Sequence, residues 1–209
     1  FCLCWANESW SRGWQGESEN VLIPQGYSEA DHRQHARWLI RATDDPRYIR
    51  VHGRPLFLVY RPTHVPNPSQ MTEIFREEFV AAGMPEPFLV GVSSFKRDQD
   101  MREFGFDLTM NFMPDFFKLP LCTFDWYSKR RVLQNLKFGT TNGHLRIYDY
   151  AEAIDLMTKS KPVFDHLPSV LVGWDNSPRR GDRSVVMVRN TADHFENHLR
   201  KTVTEVRHR

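Results

Sequence analysis

Phe1-Cys-Leu-Cys-Trp-Ala-Asn-Glu-Ser-Trp-Ser-Arg-Gly-Trp14 is the stretch from which the rest of the chain can be read. It opens with five apolar residues and no charge, the composition of a strand buried on both faces or of a short buried helix segment. Asn7 and Glu8 follow at once, and Trp10, Arg12 and Trp14 then lie in a glycine-containing loop. A carboxylate, an amide and indoles just past a buried strand are what a sugar site needs. Aromatic faces cover the C–H faces of a pyranose while carboxylate and amide take its hydroxyls. The competing reading has the tryptophans closing the end of a core. Glu8 weighs against it, because a carboxylate is costly to bury beside indoles without a partner.

The pattern repeats along the chain. Ser28 and Asp31 form a capping-box signature ahead of His35, Trp38, Leu39 and Ala42, which predicts a helix from Ser28 to about Thr43. Leu56 to Tyr60 is a second apolar strand, followed by Arg61. Met71, Ile74, Phe75 and Phe79 give one face of a helix ending at Ala82-Gly83. Phe88 to Val92 is a third strand, ending in Ser93 and Ser94. A short polar helix around Asp98 to Phe104 leads to a fourth strand, Phe106 to Phe112, with Asn111 near its end. Tyr150 to Lys159 reads as helix and Ser169 to Trp174 as a fifth strand, followed by Asp175, Asn176 and a polar loop with Arg179. Val185 to Val188 is too short to assign. A last helix from about Thr191 carries Phe195, Leu199, Val203 and Val206. Asp115 to Tyr148 breaks the rhythm and reads as a long irregular excursion, a feature more often functional than not.

Strands alternating with helices imply a parallel sheet with crossover helices. No glycine-rich phosphate fingerprint follows any strand, which argues against a nucleotide-binding sheet. Polar and aromatic residues recur after the strand ends instead, where parallel barrels build their sites. The expected fold is therefore a (β/α)8 barrel, incomplete in this chain, in a single domain of about five parallel strands.

Composition bounds the function. The 209 residues carry a net charge of +2 without a basic block, which argues against nucleic acid. Six tryptophans and 13% aromatic residues suit a carbohydrate ligand. No run is long enough for a membrane span and no signal peptide is visible, so the expected location is cytoplasmic. Cys2, Cys4 and Cys122 read as small core residues in a reducing compartment. His32 with His35, and His194 with His198, recur about one turn apart on two predicted helices. Without further ligands they read as solvated faces rather than metal pairs. No metal or other cofactor is expected, and oligomeric state is left open. Because the first residues already belong to a buried strand, the chain is expected to be part of a longer product.

Three motifs, in order, carry a resemblance: Phe1 to Trp10, Tyr48-Ile-Arg-Val-His-Gly-Arg-Pro-Leu-Phe-Leu-Val-Tyr-Arg-Pro62, and Gly173-Trp-Asp-Asn-Ser-Pro-Arg-Arg180. Together they resemble the WbsX family, described as glycosyltransferases of surface-polysaccharide (lipopolysaccharide) clusters or as glycoside hydrolase family 99-like proteins. The resemblance implies a barrel related to endo-acting α-mannosidases, with this chain holding strands three to seven. It also implies that the catalytic carboxylate pair lies on a final strand beyond residue 209. Ser9 stands where relatives more often have Asn, and Asn111-Phe-Met-Pro114 where Glu-Phe-Gln-Pro is common, so one strand-end carboxylate is absent.

The expected ligand is thus an oligo- or polysaccharide. Trp5, Asn7, Trp10, Trp14, Tyr60, Arg61, Asn111, Trp174, Asp175, Asn176 and Arg179 are the candidate binding residues. Glu8 is the candidate catalytic residue, read in the first place as a hydroxyl ligand. Its alternative role is in an Asn7-Glu8 acid/base dyad, known from other barrel glycosidases. The segment alone is expected to be inactive. Two further readings stand beside the enzyme: a non-catalytic glycan-binding barrel, and a truncated structural fragment.

Overall fold

A computed structural model of the chain describes residues 1–12, 17–94, 99–120, 146–159, 161–181 and 184–207. In chain order the elements are β1 (Leu3–Trp5), β2 (Trp10–Arg12), β3 (Glu17–Ile23), α1 (Glu29–Thr43), β4 (Arg50–Val51) and β5 (Arg54–Val59). There follow α2 (Pro68–Ala81), β6 (Phe88–Ser93), β7 (Leu108–Asn111), β8 (Arg146–Asp149) and α3 (Tyr150–Lys159). The last are β9 (His166–Leu167), α4 (Ser177–Arg180), β10 (Val185–Val188) and α5 (Ala192–Arg207). The chain divides into two compact units, one built mainly from Leu22–Phe112 and the other mainly from Met113–Lys161 and Pro168–Arg209. β2 and β3 pair with each other.

In the first unit β1, β5, β6, β7 and β9 lie side by side in that order, and every neighbouring pair is parallel. β4 adds a short antiparallel turn onto β5. Alternation along the strands gives the sheet two different faces. Phe57, Val59 and Leu89 face α1 and α2, where they pack with Ala36, Leu39, Met71, Phe75, Phe79 and Phe106. Each of these large side chains contributes about 1.5–3 kcal/mol by leaving water. The opposite face runs in register across four strands as Cys4, Leu58, Val90 and Leu108. It carries no charge in that row.

The helices form where their end signals stand. Ser28 caps α1, its hydroxyl accepting from Asp31 N (3.1 Å) while Asp31 accepts from Ser28 N (3.2 Å). Asn67 Oδ1 accepts from Gln70 N (3.2 Å) to start α2 behind Pro68. Gly83, at φ +73°, ends it in a conformation that favours glycine. At the N-terminal ends of the strands Asp107 pins the unit together. It pairs with Arg54 (2.9 Å) and Arg76 (3.1 Å) and accepts from Leu89 N (2.8 Å).

The second unit holds β8 and β10, a parallel pair in register from Arg146 with Val185 to Asp149 with Val188. Its core is Tyr148, Tyr150, Ala153, Ile154, Met157, Leu171, Val185 and Met187. Both tyrosines bury their rings and still place the hydroxyl, Tyr148 on Pro120 O (2.6 Å) and Tyr150 on Leu171 O.

Several expectations are corrected. The strand beside β7 in the sheet is His166–Leu167, not 169–174. Pro168, which lacks an amide donor, ends it. Val172 is 68% exposed, and Asp175 makes an isolated antiparallel bridge to Val186. Arg146–Asp149 is a strand although it falls in the predicted excursion, of which 121–145 lies outside the described residues. Val185–Val188 is a full partner for it. Three of the four histidines turn inward: His32 and His198 are 3% exposed, and His35 packs edge-on to Trp5 with centroids 4.7 Å apart, while His194 is half-buried. On α5 the inward residue is His198, while Leu199, Val203 and Val206 are 39–42% exposed. Cys4 is exposed, because among the described residues β1 pairs on one side only; Cys2 is half-buried and both are free thiols. Cys122 lies outside the described residues.

Candidate functional site

The C-terminal ends of β1, β5, β6 and β7 bring Asn7, Glu8, Tyr60, Arg61, Ser94 and Asn111 to one edge of the first unit's sheet. Asn7 is fully buried. Its Nδ2 donates to Arg61 O (2.8 Å) and its Oδ1 accepts from Arg61 N (2.7 Å). Tyr27 Oη donates to Asn7 O (2.7 Å). A buried amide bonded at both ends stitches the end of β1 to that of β5. Asn7 therefore holds the edge.

That stitching aligns the next pair. Glu8 Oε1 lies 2.6 Å from Arg61 Nε, and the Glu8 side chain is 40% exposed against 20% for Arg61. Arg61 Nη1 is 3.2 Å from His64 Nε2, so a proton donated along this contact requires the imidazole nitrogen to be the acceptor. The guanidinium also lies over the Tyr60 ring, 5.4 Å from its centroid. Tyr60 packs at 5.4 Å on Phe112, and its backbone carbonyl accepts from Ser94 Oγ (3.2 Å). Burial pushes the Tyr60 phenol above its ordinary pKa, which keeps it a neutral donor and acceptor. The edge thus carries an acceptor, a fixed cationic fork and an aromatic pair. Asn111, half-buried, is the register partner of Ser93.

The tryptophans divide. Trp5 is partly buried and packs on the first unit's core beside Tyr27, His32 and His35. Trp10 is 55% exposed. Trp14 lies outside the described residues. Trp174, Asp175, Asn176 and Arg179 belong to the second unit. Trp174 packs on its core and meets Phe116 at 5.9 Å. Asp175 Oδ1 accepts from Ser177 N (2.8 Å), and the Ser177 hydroxyl first and this amide second hold its carboxyl below the ordinary range. Asn176 Oδ1 accepts from Val185 N (2.8 Å). These two polar side chains build the turn before α4, and Arg179 is exposed on it.

Tyr27, His64 and Phe112 escape a reading by strand ends. Tyr27 and His64 lie outside the strands, and nothing local links either to Glu8. Phe112 follows a strand directly but reads as core. Among the described residues no group of three His, Cys, Asp or Glu is placed to hold a metal, and no helix is long and apolar enough to cross a membrane.

A parallel α/β sheet with a carboxylate–arginine pair and aromatics at its C-terminal edge is the setting in which the comparisons fall. The family profile described as Glycosyltransferase WbsX matches residues 1–209, and the chain belongs to that family. Two curated relatives, each called uncharacterized protein WxcX and drawn from two strains of Xanthomonas campestris pv. campestris, are 35% identical over 205 residues. The alignment covers 97% of this chain and 28% of each relative, so the chain spans under a third of their length. No solved structure matches the chain. Family membership implies a glycan-related role.

Proposed function

We propose that this chain is part of a (β/α) barrel enzyme that makes or breaks glycosidic bonds of a surface polysaccharide or mannan-like glycan. In this reading the sheet edge of the first unit binds the sugar. The parallel order of the strands, the helices over one face and the uncharged row across the other support a barrel wall. The observation that carries the site is the Glu8–Arg61 pair, 2.6 Å apart at the strand ends with the carboxylate still partly open to solvent. An ion-paired carboxylate with one open side accepts a hydroxyl proton, while Arg61 and Tyr60 supply donors.

Cleaving or forming a glycosidic bond needs a proton donor at the leaving oxygen and an opposing nucleophile or base. Two carboxyls roughly 5–5.5 Å apart serve retention and about 6.5–9.5 Å serve inversion. Glu8 faces an arginine rather than a second carboxyl, so it acts as a sugar ligand and the reacting pair belongs to another part of the full-length protein.

The test is steady-state kinetics of the full-length protein on bacterial surface polysaccharides and α-mannan fragments. Glu8→Gln is expected to raise KM about tenfold with kcat within a few-fold of wild type, the mark of lost ground-state and transition-state binding alike. A loss of kcat on the order of 10³-fold would make Glu8 the acid or base instead. Glycan binding without turnover by the wild-type protein would favour a lectin-like role.

A further inference from the structure

The Glu8 side chain is 40% exposed and is held at Oε1 by Arg61, so where its carboxylate stands depends on the backbone beneath it. That backbone turns sharply after β1. Glu8 N donates back to Ala6 O (2.9 Å), which closes a three-residue turn centred on Asn7. The residues on either side of Glu8 are then tied to one short segment, Gln25 to Tyr27, ahead of α1. Asn7 O accepts from Tyr27 Oη (2.7 Å), and Ser9 Oγ accepts from Gln25 N (3.1 Å). Ser9 and Gln25 flank the β2–β3 pair, so the second tie also closes its base.

The segment is itself fixed from the first turn of α1. Asp31 Oδ2 accepts from both the backbone N (3.2 Å) and the hydroxyl (2.6 Å) of Ser28. A Cβ at Gly26 would stand 3.1 Å from that same oxygen, so glycine leaves room for the cap. The Tyr27 ring lies 6.1 Å from Trp5 and 6.5 Å from His32. Burial pushes its phenol above the ordinary pKa, which keeps the hydroxyl a donor for Asn7 O. Contacts thus run from the cap of α1 to both neighbours of Glu8, and each is a hydrogen bond made across a long stretch of sequence.

We propose that Tyr27 and Ser9 are positioning residues for Glu8. The Gln25–Tyr27 segment, seated on the cap of α1, holds the turn that sets the carboxylate against Arg61 and towards a sugar hydroxyl. The inference rests on the glycan reading above. Neither residue has to touch the sugar, because each acts through the backbone beside Glu8.

The experiment is steady-state kinetics of the full-length protein on α-mannan fragments and bacterial surface polysaccharides, in the wild-type and Glu8→Gln backgrounds. Tyr27→Phe deletes the hydroxyl and keeps the ring, and Ser9→Ala deletes an exposed hydroxyl. Each is expected to raise KM about threefold with kcat near wild type, and Ser9→Thr, which puts a hydroxyl back, to rescue it. In the Glu8→Gln background neither is expected to raise KM further, because the charged contact they set is already gone. Wild-type KM in both variants, or the same rise in both backgrounds, would reduce the two ties to structural contacts and overturn the assignment while leaving the glycan reading intact. Unchanged kinetics in Glu8→Gln, or a wild-type protein that engages no glycan, would overturn the reading of this edge and the assignment with it.

Discussion

Asn7 shows how little of a side chain's task is carried by its neighbours in sequence. Beside Glu8 it reads as a sugar ligand, yet its side chain bonds the backbone of Arg61, 54 residues on, while its own backbone carbonyl accepts from the Tyr27 hydroxyl. Asn7→Ala removes the acceptor of Arg61 N, while Arg61 O keeps its bond from His64 N (3.0 Å), and is expected to cost about 1–3 kcal/mol in urea unfolding. Trp5 is ambiguous in sequence for a similar reason, since an indole at a strand end suits a core and a site equally, and its packing against His32 and His35 comes from a helix 27 residues and more away. The same burial sets a pH response. It pushes His35 down to about 4 and lowers His32, so the folded state holds both neutral. A histidine with a depressed folded pKa stabilises the fold above its unfolded value of about 6.5. That stability is lost as pH falls towards 4. For His35 the full effect is on the order of 2–3 kcal/mol. Thermal unfolding between pH 7.5 and 4.5 checks this: His35→Leu should flatten the acid slope, and a slope equal to wild type would assign it elsewhere.

Elements were legible where one strong cause fixed them. The capping box at Ser28 and the apolar face of α2 name their helices outright, and β5 and β6 are apolar runs bounded by Pro and Gly. β8 was hidden because Arg146-Ile-Tyr-Asp149 is charged at both ends, and its charges serve the strand termini. The run 169–174 looked more like a strand than His166–Leu167, but Pro168 separates it from the ladder that Thr109 and Met110 offer. On α5 the spacing of Phe195, Leu199 and Val203 marked a face that the protein leaves partly exposed, and His198 is the buried residue. Two substitutions test the helices. Ser28→Ala should cost about 1 kcal/mol through loss of the cap. Phe75→Ala, fully buried between α2 and the sheet, should cost about 3–5 kcal/mol. Equal effects from the two in urea unfolding would contradict the packing described.

At the scale of the molecule, a parallel sheet with crossover helices was written in the strand–helix alternation, and the polar residues after β1, β5, β6 and β7 gather at one edge of it, while those from Trp174 to Arg179 belong to the second unit. What alternation does not encode is the division into two units, because it is set by contacts between segments distant in sequence. The chain spans 28% of the length of its curated relatives, and in the function proposed above the reacting carboxylates lie in the remainder. The 209-residue segment made alone should therefore show no transferase or hydrolase turnover on substrates the full-length protein uses. Turnover by the segment that Glu8→Gln abolishes would return Glu8 to the catalytic role. The most direct measurement is a crystal structure of the full-length protein with a bound oligosaccharide. A sugar ring is expected against Tyr60, with hydroxyls within hydrogen-bond distance of Glu8 and Arg61. A glycan bound at the opposite end of the strands, beside Asp107 and Arg54, would contradict it.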